Sequence, residues 1–159
     1  MKNLIYISLV IIVFGSCSCR KVEIDEDKLK TDQYYHDGDY NPFTGICITE
    51  YHDSGKIKGS RTLKDGIMNG ETIVYYKNGA VRRQGKYVDG KYEGLWEGWY
   101  ENGEKEFEIE HHKGMLHGEY ILYHSNGKPR EKGRYHKNKP TGHWKIFDEK
   151  GSLIEEREY

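Results

Sequence analysis

Residues 118–128, with the sequence GEYILYHSNGK, decide the fold of this 159-residue chain. The first half of this stretch is short, aromatic and β-branched, a composition typical of a β-strand. Asn126-Gly127 follows, and Asn-Gly between two strand-like runs is the strongest short signal for a hairpin with a type I′ turn, which needs positive φ at both central residues. The stretch therefore predicts one β-hairpin, whose second strand runs from Lys128 to about Tyr135.

The hairpin signal recurs every 24 residues along the chain. The repeat glycines at the predicted turns are Gly55, Gly79, Gly103, Gly127 and Gly151. An aromatic column lies four places earlier, at Tyr51, Tyr75, Trp99, Tyr123 and Phe147. A fixed period of this length is the signature of a repeat array. We therefore expect about five hairpins, paired side by side into an all-β, single-layer antiparallel meander of roughly ten strands.

The composition favours a thin sheet over a thick globular enzyme. Aliphatic residues are sparse beyond Ser16, whereas the chain contains 14 Tyr, 3 Trp and 19 Gly with only 3 Pro. Aromatic rings must therefore supply most of the apolar area. The 25 Lys and Arg residues balance 26 Asp and Glu residues, for a net charge of -1, so we expect no nucleic-acid binding through bulk positive charge.

Residues 1–16 have the layout of a secretory signal of the lipoprotein type. A positively charged start, Met1-Lys2-Asn3, precedes an apolar run over residues 4–14 that is too short to span a membrane. Gly15 and Ser16 then stand directly before Cys17, as in a bacterial lipobox, although Phe14 replaces the usual Leu. The resemblance implies thioether lipidation of Cys17, with Cys19 as the alternative, and anchoring by acyl chains.

The signal divides the chain into three parts and sets the expected location. Residues 1–16 are the signal peptide, residues 17–41 a polar tether and capping stretch, and residues 42–159 the repeat array. We expect a membrane-anchored protein of the cell envelope, on the outer rather than the inner membrane of a Gram-negative cell because Ser18 follows Cys17. A plain, cleaved signal peptide is the alternative. Spacing does not decide whether Cys19 and Cys47 pair, and we expect no disulfide framework.

The two faces of the predicted sheet differ in character. If Asn-Gly fills both turn positions, Tyr75 lies opposite Arg82, Trp99 opposite Glu106 and Tyr123 opposite Arg130. This face then carries an acidic row that lies between two basic rows. The residues of the acidic row are Glu104, Glu106, Glu108 and Glu110. The other face is more apolar and is the candidate binding face, with Tyr76, Trp96, Tyr100, Tyr120 and Trp144 as its candidate binding residues. Its rings serve mainly to stabilise a one-layer sheet, and the alternative is that they also dock a partner.

The sequence favours a protein without catalytic activity, metal or cofactor. His111 and His112 are adjacent on a strand and point to opposite faces, while His112 and His136 share a column two strands apart, so neither pair has the spacing of metal ligands. The acidic row lies along one strand, whereas glycoside hydrolysis needs two carboxyls across a cleft. The sequence contains neither a phosphate-binding loop nor a nucleophile elbow.

The recurring pattern G-x-W/Y-x-x-Y-x-x-N-G-x-x-x-x-x-G-x-Y-x-x-G resembles the MORN (membrane occupation and recognition nexus) repeat. It is most similar to the bacterial MORN-like variant found in lipoproteins and in proteins labelled as antitoxin components, and it covers residues 42–159. The resemblance implies a scaffold that binds a protein or an envelope component. The alternative that it implies is an antitoxin or immunity-like protein with one toxin partner. The identity of the partner and the oligomeric state stay open at this point.

Overall fold

The computed structural model describes residues 8–10, 19–22, 33–36, 42, 44–50 and 56–159. Within these ranges all the regular structure is β-strand. The strands are β1 (Ser8–Val10), β2 (Cys19–Val22), β3 (Gln33–His36), β4 (Gly45–Glu50), β5 (Ile57–Lys64), β6 (Ile67–Tyr75), β7 (Val81–Val88), β8 (Lys91–Trp99), β9 (Lys105–His112), β10 (Met115–Tyr123), β11 (Pro129–His136), β12 (Lys139–Phe147) and β13 (Leu153–Glu158).

Strands β4 to β13 form one ten-stranded sheet in which every strand pairs with its neighbours in the chain. All these pairings are antiparallel, so the predicted single-layer meander of hairpins is confirmed. Strands β1 to β3 form a separate three-stranded sheet. Cys17, the predicted lipidation site, and most of the predicted signal and tether lie outside the described residues. In the part of the chain that is described, no helix has the length and apolarity needed to cross a bilayer.

The turn types at the two connections of each repeat are exchanged relative to the prediction. At the predicted type I′ turn Asn78-Gly79, only the glycine has positive φ, at 92°. Tyr76 N donates to Ala80 O at 2.8 Å and Gly79 N donates to Tyr76 O at 2.9 Å, which makes a three-residue loop that ends in a glycine bulge. The same contacts recur at Asn102-Gly103 and Asn126-Gly127. The prediction of two-residue turns at Asn-Gly is therefore wrong.

The type I′ turns lie at the other connection of each repeat. There both central residues have positive φ, as in Asp89 (48°) and Gly90 (74°). The same geometry occurs at Asp65-Gly66, Lys113-Gly114 and Lys137-Asn138. Two-residue turns of this kind match the right-handed twist of the paired strands, and each strand pair that they join has a bulge a few residues further on, as between Gln84 and Lys86.

The longer Asn-Gly loop changes the pairing beside it. Tyr75 lies opposite Val81, Trp99 opposite Lys105 and Tyr123 opposite Pro129, in place of the predicted partners Arg82, Glu106 and Arg130. A bulge then restores the expected register one residue further into each hairpin, at pairs such as Val74 and Arg83. Because Glu106 falls within such a bulge, the predicted row of four alternating carboxylates is interrupted there.

Direct pairing defines the two faces of the sheet, because opposed residues project to the same side. We call the side that carries Tyr87, Trp96, Ile109, Tyr120 and Trp144 the ring face. We call the opposite side the charged face, and an unbroken line of paired residues crosses it from Gln84 through Glu97, Glu108, Ile121 and Lys132 to Lys145. The predicted contrast between a polar and a more apolar face is therefore present, with its register corrected at the bulges.

The buried residues form small groups within the one layer. Leu63 is 1% exposed, and Trp96 and Trp144 are 3% and 5% exposed. Cys47 in β4 is fully buried and disulfide-bonded, whereas the sequence analysis left open whether it pairs. The other cysteines of the chain are Cys17 and Cys19.

Candidate functional site

Trp96 is buried by residues of its own face. Its indole lies over Gly85, where an added Cβ would overlap the ring. The rings of Tyr87 and Tyr92 pack edge-on against it, with centroids 5.0 Å and 4.6 Å away. Edge-to-face pairs of this kind add stability beyond the area that they bury. A one-layer sheet can therefore bury a tryptophan almost completely, provided that glycine lies beneath the ring.

The same arrangement recurs two repeats later around Trp144. Its indole covers Gly133, where an added Cβ would again overlap the ring. Tyr135, Tyr120 and Tyr159 surround it at centroid distances of 5.0, 5.5 and 6.0 Å. One repeat lies between the two ring clusters. In that repeat, Ile109 occupies the position that is equivalent to Gly85 and Gly133. The array has a two-repeat rhythm on its ring face.

The predicted binding residues have two different roles within the sheet. Trp96 and Trp144 are buried and Tyr120 is half-buried, so these three side chains form the interior of the ring clusters. Tyr76 and Tyr100 instead act between repeats. The exposed rings that border the two clusters are Tyr92 and Tyr159, at 36% and 56% exposure, and these are the residues that a partner on the ring face can reach.

Side chains at the Asn-Gly edge bridge successive repeats. The hydroxyl of Tyr76 donates to the Trp99 carbonyl oxygen, and that of Tyr100 to the Tyr123 carbonyl oxygen, each at 2.7 Å. Asn102 Nδ2 donates to Ser125 O at 2.8 Å, one repeat further along. Equivalent strands lie about 9.6 Å apart, and long side chains span that gap. These hydrogen bonds couple each repeat to the next.

A compact ion network occupies the centre of the charged face. Lys105 Nζ contacts the carboxylates of Glu97 (2.8 Å) and Glu108, and the Tyr123 hydroxyl donates to Glu108 Oε2 at 2.8 Å. The hydrogen bond from Lys105 lowers the pKa of both carboxyl groups. Burial, reinforced by the hydrogen bond to Glu108, raises the pKa of Tyr123 to about 12. Opposite charges thus meet on β8 and β9, and the neutral Tyr123 hydroxyl joins them from β10.

Three histidines form a row on the charged face, near the type I′ turns. The rings of His112 and His117 lie 5.9 Å apart, and those of His117 and His136 lie 4.8 Å apart. The sequence analysis placed His112 and His136 correctly in one column but missed that His117, on the strand between them, closes the gap. Counting alternate residues outward from Lys113-Gly114 would have found it. Within the described ranges, no set of three His, Cys, Asp or Glu side chains is arranged to hold a metal ion.

The row lies in an open groove of about 600 Å³. Its lining includes Glu110, His112, His117, Arg134, His136 and Thr141. Glu93 Oε1 is 2.9 Å from His112 Nδ1, and Glu93 Oε2 accepts from Lys113 N at 2.7 Å. This backbone hydrogen bond is the main cause that lowers the pKa of Glu93. Glu93 therefore lies beside His112 at one end of the groove, and Arg134 lies at the other end, opposite Glu119.

Comparison with known proteins agrees with the repeat architecture. No curated protein matches the chain. Four consecutive segments match the MORN repeat variant, at residues 68–89, 92–113, 116–138 and 140–159, and together they cover more than half of the chain. Each of the first three segments ends at a type I′ turn, at Asp89, Lys113 and Asn138. The chain therefore belongs to the MORN repeat variant family.

Proposed function

We propose that the protein is a lipid-anchored, non-catalytic scaffold of the cell envelope that binds a protein or another envelope component through its ring face. The exposed ring of Tyr92 carries this proposal. Tyr92 packs against buried Trp96 and against His111, whose ring is stacked on it at 5.1 Å. A rigid, half-exposed tyrosine on a packed support is a favourable anchor for a partner, because little side-chain entropy is lost on binding.

The repeat architecture supports a binding role. The repeats of this family form a scaffold that is generally a non-catalytic binding module. In a repeat array each unit contacts only its neighbours, which creates an extended surface. The two-repeat rhythm of the ring face places exposed tyrosines beside both ring clusters, so a partner of extended shape could engage both.

Two observations support the envelope location. Gly15-Ser16-Cys17 resembles the site at which lipoprotein precursors are acylated and cleaved. Cys47 is disulfide-bonded, and such bonds persist mainly in oxidising compartments such as the bacterial periplasm or the cell surface. Export and anchoring together would hold the ring face near the membrane on which the partner resides.

Site-specific photo-crosslinking in intact cells tests the binding proposal. A benzoylphenylalanine at position 92 keeps an aromatic ring there, and the same residue at position 95 is the matched control. Leu95 is 48% exposed on the same strand, but it lies opposite Glu110 on the charged face. We expect one discrete adduct from position 92 and none from position 95. Equal adducts from both positions, or none from either, would refute a binding role for the ring face.

The identity of the adduct also distinguishes the two partner classes. An abundant envelope protein or glycan agrees with a general scaffold. A single toxin, neutralised when the two proteins are co-expressed, would assign the protein to the antitoxin or immunity class instead. Replacing Tyr92 with Ala, with Leu95→Ala as the folding-matched control, should weaken either interaction.

A further inference from the structure

We propose that the row of His112, His117 and His136, together with Arg134, is a pH-gated binding site for an oxyanion, with carboxylate or tetrahedral groups as its ligands. The site lies on the charged face, and it is therefore independent of the ring face used in the proposed function. Its basis is the convergence of three imidazoles, one guanidinium and the Thr141 hydroxyl in one open groove.

The charges around the row explain the gating. The ionisable groups that neighbour the row are Glu93 on β8 with Lys86 opposite it on β7, Glu110 on β9, Lys113 in the following turn, Glu119 on β10, Arg134 on β11 and Lys139 on β12. With neutral imidazoles, three carboxylates and four cations nearly cancel. Protonated imidazoles add up to three further positive charges. Histidine is the side chain whose charge changes between about pH 5 and 8, so mild acidification makes the groove strongly positive.

Two of the carboxylates are already satisfied by the backbone. Glu93 accepts from the Lys113 N–H at 2.7 Å, and Glu110 Oε2 accepts from the Glu119 N–H at 2.7 Å. The other oxygen of Glu93 lies 2.9 Å from His112 Nδ1, so this carboxylate serves His112 rather than His117 or His136. Arg134 lies opposite Glu119 on β10, and Thr141 lies opposite Arg134 on β12. An anion at the end of the groove formed by Arg134 and His136 must therefore compete with Glu119 for the guanidinium.

The close spacing of the rings links the ligand to the protons. Centroids at 4.8 Å and 5.9 Å bring like charges together when all three imidazoles are protonated, which costs free energy. A bound oxyanion offsets this repulsion and accepts hydrogen bonds from the ring N–H groups. Ligand and protons should therefore bind cooperatively, as linkage requires.

Calorimetric titration of the full chain with sulfate, and separately with succinate, at pH 6.0 and pH 8.0 and constant ionic strength tests the proposal. We expect at least tenfold tighter binding at pH 6.0 for one or both probes. The tighter probe shows whether the site prefers tetrahedral oxyanions or carboxylates. The ring signals of His112, His117 and His136 should shift in an NMR spectrum, while that of His124, at the opposite edge of the sheet, should stay unchanged.

Variants separate a specific site from general screening. His117→Gln removes the middle ring and should abolish the gain at pH 6.0, and His136→Gln should reduce it. His124→Gln is the matched control and should keep the gain, while circular dichroism checks that all three variants are folded. Equal affinity at both pH values, or a gain that persists in His117→Gln, would overturn the proposal. So would shifts of the same size at His124.

Discussion

Trp96 donates its indole Nε1–H to the carbonyl oxygen of Lys86 at 3.1 Å. In the described part of the chain, the buried Nε1 of Trp144, two repeats later, has no hydrogen-bond partner. The Arg134 carbonyl, which corresponds to that of Lys86, accepts instead from the Thr141 hydroxyl at 3.4 Å. Two nearly equivalent tryptophans thus differ by one hydrogen bond.

The same substitution at these two positions should therefore have unequal effects. Trp96→Phe loses ring area and also leaves the Lys86 carbonyl without its partner, whereas Trp144→Phe removes a buried N–H that is already unpaired. Since a lost hydrogen bond inside a protein costs about 1 kcal/mol, Trp96→Phe should be the more destabilising by roughly that amount. Urea unfolding of both variants measures the difference, and equal losses would contradict this account of the two sites.

The contact between Gly85 and Trp96 predicts strong coupling between the two positions. Gly85→Ala places a methyl group inside the volume of the indole, and overpacking of this kind costs roughly 1–3 kcal/mol. The loss should be much smaller when Trp96 is already Leu, because the smaller side chain leaves room. A double-mutant cycle measures the coupling. Strictly additive losses would show that the indole does not rest on Gly85 in solution.

The ion network on the charged face predicts how stability depends on pH. The folded-state pKa of Tyr123 is raised to about 12 from its usual 10.0, so the neutral phenol favours the folded state. Its contribution is complete below pH 10 and is lost as the pH rises through about 12. The gap in the free energy of unfolding between the wild type and Tyr123→Phe should therefore shrink over that range. A gap that stays constant from pH 7 to 12 would contradict the raised pKa of the part-buried Tyr123 hydroxyl.

The dependence of stability on pH in the acidic range follows from the lowered pKa values of Glu97 and Glu108. A carboxyl group whose folded-state pKa is depressed stabilises the fold above its usual pKa, and it loses that contribution as the pH falls through the folded-state value. The wild type should therefore lose stability below about pH 4.5. Lys105→Met should flatten this part of the curve, because it removes the cation that holds both carboxylates ionised. An unchanged acid limb in that variant would contradict the network.

The three cysteines should have separable chemistry. If the sulfur of Cys17 carries a lipid through a thioether, the disulfide of Cys47 must use Cys19. Radioactive palmitate should then label the wild type and Cys19→Ala but not Cys17→Ala. Alkylation of free thiols in the unfolded protein should modify Cys47 only in Cys19→Ala. Label retained in Cys17→Ala would exclude Cys17 as the anchoring residue.

The sequence predicted the number and order of the strands because the period is carried by many residues at once. The prediction of the turns failed because Asn-Gly is compatible with two different types of hairpin loop. In a type I′ turn both residues take positive φ, whereas in the three-residue loop only the glycine does, and Asn78-Gly79 fits either requirement. The choice depends on where pairing stops, which here is set by the hydrogen bond from Tyr76 N to Ala80 O.

Simple strand alternation also did not predict how the side chains of the ring face are buried. Alternation placed Trp96 and Trp144 on one face, but their burial depends on Gly85 and Gly133, one strand away and hence distant in sequence. The shared 48-residue spacing of the two Trp–Gly pairs is a signal that could have shown it. The His112, His117 and His136 row was missed for a related reason, since it combines residues from three strands rather than one column.

The central claim is that the scaffold is built from 24-residue repeats of equivalent backbone structure laid side by side in one sheet. Deleting residues 92–115, one full 24-residue period, tests it most directly, because the cut joins equivalent positions. We expect an eight-stranded sheet that unfolds cooperatively, with a urea m-value lower by about a fifth. Deleting residues 92–103 removes a single strand and should prevent folding, since it reverses the direction of every later strand. If the full-period deletion fails to fold, or the half-period deletion folds equally well, the account of the scaffold is wrong.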